Sequence, residues 1–128
     1  MSIVLRFKTR LFDVATERAN PINPIPGESL LLWLGKQLAP DHPLSAPEPE
    51  DWGWYSSLVW DGRAYLVGSC AYDADENGER EWVLQVDKSR SFGEKLLGRA
   101  KMASDDPCVA RLRVLLEGEP AFTDVAAD

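Results

Sequence analysis

The stretch Trp54-Tyr55-Ser56-Ser57-Leu58-Val59-Trp60-Asp61-Gly62-Arg63-Ala64-Tyr65-Leu66-Val67-Gly68-Ser69-Cys70-Ala71-Tyr72 decides the fold class. Two runs rich in β-branched and aromatic residues flank Asp61-Gly62, a dipeptide that readily supplies two successive positive φ angles. The pattern predicts strands from Trp54 to Trp60 and from Arg63 to Tyr72, joined by a two-residue type I′ turn. That turn pairs Trp60 with Arg63 and Leu58 with Tyr65, so Leu58, Trp60, Tyr65 and Val67 share one cross-strand set, with Arg63 placed to stack on Trp60.

Downstream, Asn77-Gly78 marks another turn, and Glu81 to Asp87 reads as a strand with Trp82, Leu84 and Val86 on one face. These three strands form an antiparallel meander. Upstream, Ile3, Leu5, Phe7 and Leu11 share one parity and Arg6, Lys8 and Arg10 the other, which predicts a half-buried strand from about Ser2 to Phe12. The proline-rich run Asn20 to Gly27 is extended connection. Leu30, Leu31, Leu34 and Leu38 recur on one helical face, so a helix is expected from Glu28 to Ala39, stopped by Pro40. Pro40 to Gly53 reads as a long irregular loop.

The last third is mainly helical. A short helix is expected from Phe92 to Ala100. Asp105-Asp106-Pro107 supplies an acidic N-cap and a first-turn proline for a helix carrying Cys108, Val109, Leu112, Leu115 and Leu116, which Gly118 and Pro120 end. Ala121 to Val125 fits a final short strand. The element order predicts one α+β domain over 1–128, an antiparallel sheet of about four or five strands with helices packed on one face.

Composition limits the functional classes. With 128 residues, 45% hydrophobic and 27% charged, the chain is long enough to bury a core without disulfides or metal. No apolar run approaches the ~20 residues of a membrane span. The alternating start Ser2 to Lys8 lacks a secretory apolar core, and a cytoplasmic location is expected. Cys70 and Cys108 fit neither metal spacing nor a secreted disulfide framework. Fourteen basic against 21 acidic residues give a net charge of −7, which disfavours nucleic acid and anionic membranes and favours a basic partner. Oligomeric state is not readable.

Several motifs invite a chemical reading. Asp73-x-Asp75-x-Asn77-Gly78 matches the opening of a calcium loop, but the twelfth position is Leu84 where a bidentate glutamate is required. A hairpin turn surrounded by solubilising carboxylates is the favoured account, with calcium binding the alternative. Gly93-x-x-x-x-Gly98 is followed by Arg99-Ala100 instead of the Lys-Ser/Thr of a phosphate loop. His42, the sole histidine, lies in a proline loop and reads as solvated; neither cysteine has a pattern that predicts activation. Arg6, Lys8 and Arg10 could hold an anion, but a solvated strand face or a basic sheet edge is the preferred reading. No catalytic residue, cofactor or metal is expected from these patterns, which make an enzyme the less favoured class. A carboxylate pair such as Glu48 with Asp51 keeps acid–base work open.

The remaining constellation is Glu48-Pro49-Glu50-Asp51-Trp52-Gly53-Trp54-Tyr55. Carboxylates steer lysine or arginine on a partner, and large aromatic rings anchor an interface at low rotamer cost. The partner-binding reading assigns steering to Glu48, Glu50 and Asp51 and anchoring to Trp52 and Tyr55. The structural alternative sends Trp54 into the core, lays Trp52 over an edge and leaves the acids to solvate the loop. A second functional alternative is a small-molecule or enzymatic pocket between sheet and helices, lined by Trp33, Trp60, Tyr65 or Trp82.

Pro49 to Trp54, the meander and the Asp105-Asp106-Pro107 helix together resemble small acidic bacterial α+β domains of unassigned function. In size, charge and element order the chain is similar to immunity proteins of polymorphic toxin systems, which neutralise a cognate toxin by binding it. The resemblance implies a protein partner, in that family a toxin, and carries no functional residues across.

Overall fold

The computed structural model describes residues 2–128. Strands β1 (Ser2–Thr9), β2 (Glu48–Glu50), β3 (Gly53–Trp60), β4 (Arg63–Ala71), β5 (Arg80–Lys88) and β6 (Thr123–Ala127) form one sheet in the order β2-β3-β4-β5-β1-β6. Every pairing is antiparallel. The chain is thus α+β, and its sheet has six strands where four or five were expected. The addition is β2, three residues that pair Glu48 with Tyr55, Pro49 with Trp54 and Glu50 with Gly53. Three residues carry no readable periodicity, and an edge strand tolerates a proline that has no N–H to donate.

The Asp61-Gly62 turn has φ of 50° and 75°, the positive pair a type I′ turn requires, and it sets the register Trp60↔Arg63 and Leu58↔Tyr65. Arg63 does not stack on Trp60. Its guanidinium is chelated by Glu94 at 2.7 and 2.8 Å, while the His42 ring stacks on the Trp60 ring with centroids 4.1 Å apart. A carboxylate held in a fork draws the guanidinium more strongly than a ring face. His42, expected in solvent, is accordingly half-buried.

Strand β1 stops at Thr9 because that hydroxyl turns inward to the chain, donating to the Ala121 carbonyl at 2.8 Å and accepting from the Leu11 amide at 3.0 Å. Nor is β1 a basic edge: it lies between β5 and β6. Arg6 pairs with Glu81 at 3.0 Å and with Asp128, so part of the basic stripe is neutralised across strands.

Helices α1 (Glu28–Leu38) and α3 (Pro107–Glu117) supply the second layer; α2 (Phe92–Leu97) contributes no buried residue. Ile3, Leu5, Phe7, Trp54, Leu58, Tyr65, Val67, Trp82, Leu84 and Val86 form one continuous core with Leu30, Leu34, Leu112 and Leu116 of the helices. Residues of the opposite strand parity, such as Val4, Leu66 and Cys70, lie outside that core. The helices therefore cover one sheet face and leave the other open. Among the described residues no helix is long and apolar enough to cross a membrane. Cys70 and Cys108 are both free thiols, and burial pushes Cys108 up to about 12.

Candidate functional site

The Glu48–Tyr55 segment is a hairpin built on a proline-rich clasp; its first part, Glu48 to Gly53, was expected as irregular loop, and Trp54 and Tyr55 open the strand expected of them. Asn20 uses its amide group to donate to the carbonyls of Glu50 and Gly53, both at 2.9 Å, and Asn23 donates to the carbonyl of Asp51 at 2.8 Å. One level below, Arg18 donates to the Pro47 carbonyl at 2.8 Å, pairs with the buried Glu28 carboxylate and lies 5.1 Å over the Trp54 ring. Glu28 opens α1, where the helix dipole favours a negative charge. These contacts tie the turn to the core through side chains 28 to 33 positions upstream and hold the backbone of the acidic turn in place.

On this frame the five expected residues take distinct places. Trp54 is fully enclosed, whereas Trp52 is 39% exposed. The benzo edge of the Trp52 ring lies against Gly68 on the open sheet face: a Cβ added there would stand 2.5 Å from its nearest carbon. Tyr55, paired with Gly68 in the register, donates its hydroxyl to Glu48 at 2.7 Å. The Glu48 carboxylate holds the Tyr55 phenol above its ordinary range, so it remains a neutral donor. The Asp51 amide donates to the Glu50 carboxylate at 3.4 Å, and the Asp51 side chain is exposed. Among the described residues none of Glu48, Glu50 and Asp51 takes part in a salt bridge. The structure thus brings together three carboxylates without cationic partners, a phenol and a half-exposed indole.

Next to Trp52 runs an open groove lined by Pro24, Ile25, Pro26, Cys70 and Tyr72, with Asp73 at its rim. Burial raises the Cys70 thiol above its ordinary range, which keeps it protonated and weakly nucleophilic. The groove offers apolar contact area continuous with the indole and no activated nucleophile.

The other sequence motifs resolve into structure. Asp75 accepts from the amides of Asn77 at 2.9 Å and Glu79 at 3.0 Å, the arrangement of an Asx turn closing the β4–β5 connection. Among the described residues no group of three or more His, Cys, Asp and Glu side chains is disposed to hold a metal ion. Gly98 ends α2 in a left-handed conformation, which explains its place in the Gly93–Gly98 spacing. The aromatics considered as pocket walls have packing partners: Trp82 meets Phe12 edge-on at 4.9 Å, Trp33 meets Phe122 at 4.9 Å, Trp60 carries His42, and the buried Tyr65 hydroxyl donates to Asp106.

Arg18, Asn20, Asn23 and Glu28 are the site residues that pattern reading missed. The only sequence signal was the density of side-chain donors between Arg18 and Asn23, beside prolines that cannot supply backbone donors. Comparison with models of protein families, with curated proteins and with solved structures gives no match to this chain, so the functional reading rests on its own geometry.

Proposed function

We propose that the chain is a non-enzymatic protein-binding domain that engages a basic partner through the Glu48–Tyr55 hairpin, as a toxin-neutralising immunity protein would. The observation that supports this reading is the pairing of an exposed, positioned indole with three carboxylates that have no cationic partner within the chain. A carboxylate already held by an internal arginine, as Glu28 is, has little left to offer a partner. Glu48, Glu50 and Asp51 supply the field that steers lysine or arginine, and Trp52 supplies apolar area that loses little freedom on binding because its ring is already seated on Gly68.

The test starts with affinity capture from the native host and continues with calorimetry on the recovered partner. Trp52→Ala is expected to weaken binding by at least about 30-fold, the effect of losing a central aromatic anchor. Gly68→Ala retains the indole but displaces it, and should weaken binding in the same direction. Raising salt should slow association, since screening shortens the reach of the carboxylates from about 10 Å at 0.1 M to about 3 Å at 1 M. Equal affinity for Trp52→Ala and wild type, with association indifferent to salt, removes the proposal.

A further inference from the structure

At the opposite end of the molecule, Phe92, Leu96 and Leu97 project into solvent from α2, 80%, 73% and 65% exposed. The helix that carries them is held firmly. Ser91 and Glu94 form a reciprocal capping box, and both oxygens of Glu94 are gripped by the Arg63 guanidinium, which also donates to the Ser89 carbonyl at 3.1 Å. A helix of six residues has little stability of its own, so these anchors determine that its apolar side chains face outward.

The surroundings are basic. From Lys88 to Lys101 the chain carries Lys88, Arg90, Lys95, Arg99 and Lys101 against Glu94 alone, a net +4 that leaves −11 for the rest of a chain of −7. Glu94 is neutralised by Arg63, and Lys88 lies 3.5 Å from the buried Asp106. Lys88, Arg90, Lys101 and Met102 also line a concavity beside α2. Arg90 helps shape this loop by donating to the Arg99 carbonyl at 3.2 Å.

We propose that α2 and its basic flanks dock on an anionic phospholipid surface, with Phe92, Leu96 and Leu97 entering the interfacial layer and the Arg90–Lys101 concavity receiving a phosphate headgroup. Charge complementarity favours this occupant: three exposed apolar side chains among Arg90, Lys95, Arg99 and Lys101 fit reversible attachment to a lipid interface, where shallow burial and attraction to anionic headgroups act together.

The net negative charge does not cancel this attraction, because the charges are segregated along the strands. The acidic Glu48–Asp51 turn and the Asp73–Glu79 connection lie at one end of β3 and β4, and α2 lies at the other, beside Arg63. Eight residues of β3 span roughly 23 Å, well beyond a Debye length of about 8 Å at physiological salt. Asp61 at the hairpin tip, Asp87 on β5, Asp41 beside the His42 that covers Trp60, and Asp105 ahead of α3 share this end and moderate its potential, so the attraction is local to Arg90, Lys95, Arg99 and Lys101. The inference is independent of the partner proposed for the Glu48–Tyr55 hairpin.

Flotation of the full chain with vesicles tests it, using phosphatidylcholine alone and a 3:1 mixture with phosphatidylserine, about 25% anionic lipid. Binding is expected at least tenfold tighter to the anionic vesicles at low salt and falls as salt rises. Arg90→Gln and Lys101→Gln should each weaken it about fivefold. The double variant Phe92→Ser/Leu96→Ser should weaken it more than tenfold. Because Phe92, Leu96 and Lys101 are exposed, circular dichroism of Lys101→Gln and of the double variant should report an unchanged fold, and Trp52→Ala should float like wild type. Absence of flotation at low salt overturns the proposal, as does equal flotation of the double variant. Concentration-dependent self-association lost in the double variant, without vesicle binding, also overturns it and assigns the knob to a second copy of the chain.

Discussion

Asp106 joins α3 to the sheet, and replacing it by alanine tests whether that joint determines stability. The side chain is 2% exposed. Oδ1 accepts from the amides of Cys108 at 2.9 Å and Val109 at 3.3 Å, the Tyr65 hydroxyl lies 2.9 Å from Oδ2, and Lys88 Nζ lies 3.5 Å away. Losing the N-cap costs about 1 kcal/mol. Stranding the buried Tyr65 hydroxyl without its acceptor costs about 1 to 3 kcal/mol. Lys88 keeps access to water along its stem, so its share is below about 1 kcal/mol. Asp106→Ala should therefore destabilise the fold by about 3 kcal/mol, lowering the urea midpoint by roughly 1.5 to 2 M. Asp106→Asn retains an acceptor for the helix and should cost about half as much. The decisive comparison is a double-mutant cycle: in the Asp106→Ala background Tyr65→Phe removes a donor with no partner, so its effect should be at least about 1 kcal/mol more favourable than in wild type. A loss below about 1 kcal/mol for Asp106→Ala, or a cycle without coupling, refutes the reasoning.

Two other perturbations probe different parts of the molecule. Among the described residues Ser56 Oγ, Ser69 Oγ and Trp54 Nε1 are buried without hydrogen-bond partners, so Ser56→Ala should be neutral or up to about 1 kcal/mol stabilising in urea unfolding; a clear loss would show that the hydroxyl has a partner. Hydrogen bonds from Arg63 hold the Glu94 carboxyl at about 2, below its value of about 4.3 in an unfolded chain, so the anchoring of α2 is complete above about pH 4.3 and lost as pH falls through about 2. Amide exchange in α2 should show protection persisting at pH 4 in wild type but already failing there in Arg63→Gln, and identical acid profiles would disprove the anchor.

What the sequence disclosed and what it withheld divide by range of interaction. The Asp61-Gly62 turn is a local matter, because two residues must adopt positive φ and that sets the strand register around Leu58 and Tyr65. The α3 start is equally local: Asp106 caps the amides immediately following it and Pro107 occupies a position that needs no donor. By contrast, β2 exists because β3 offers it an edge, and nothing within Glu48-Pro49-Glu50 requires a strand. The seat of Trp52 on Gly68 and the grip of Asn20 on Glu50 and Gly53 each join residues far apart in sequence, so only the folded chain brings them together. The same holds for Trp60, whose neighbour in the hairpin is Arg63 but whose ring is covered by His42.

Net charge is a coarse descriptor for a related reason. A value of −7 treats the chain as a uniform body, yet an antiparallel meander alternates its turns between two ends, so charge placed on alternate turns accumulates at opposite poles. Here the β2–β3 and β4–β5 turns carry acids, while the chain leaving β5 carries the basic α2 segment beside the β3–β4 turn. Because the separation exceeds the screening length in physiological salt, a ligand at one end responds to the charges near it more than to the sum over the chain. A surface attached through α2 would meet cations and apolar side chains, leaving Trp52 and its carboxylates about one strand length away, where a second partner can approach them.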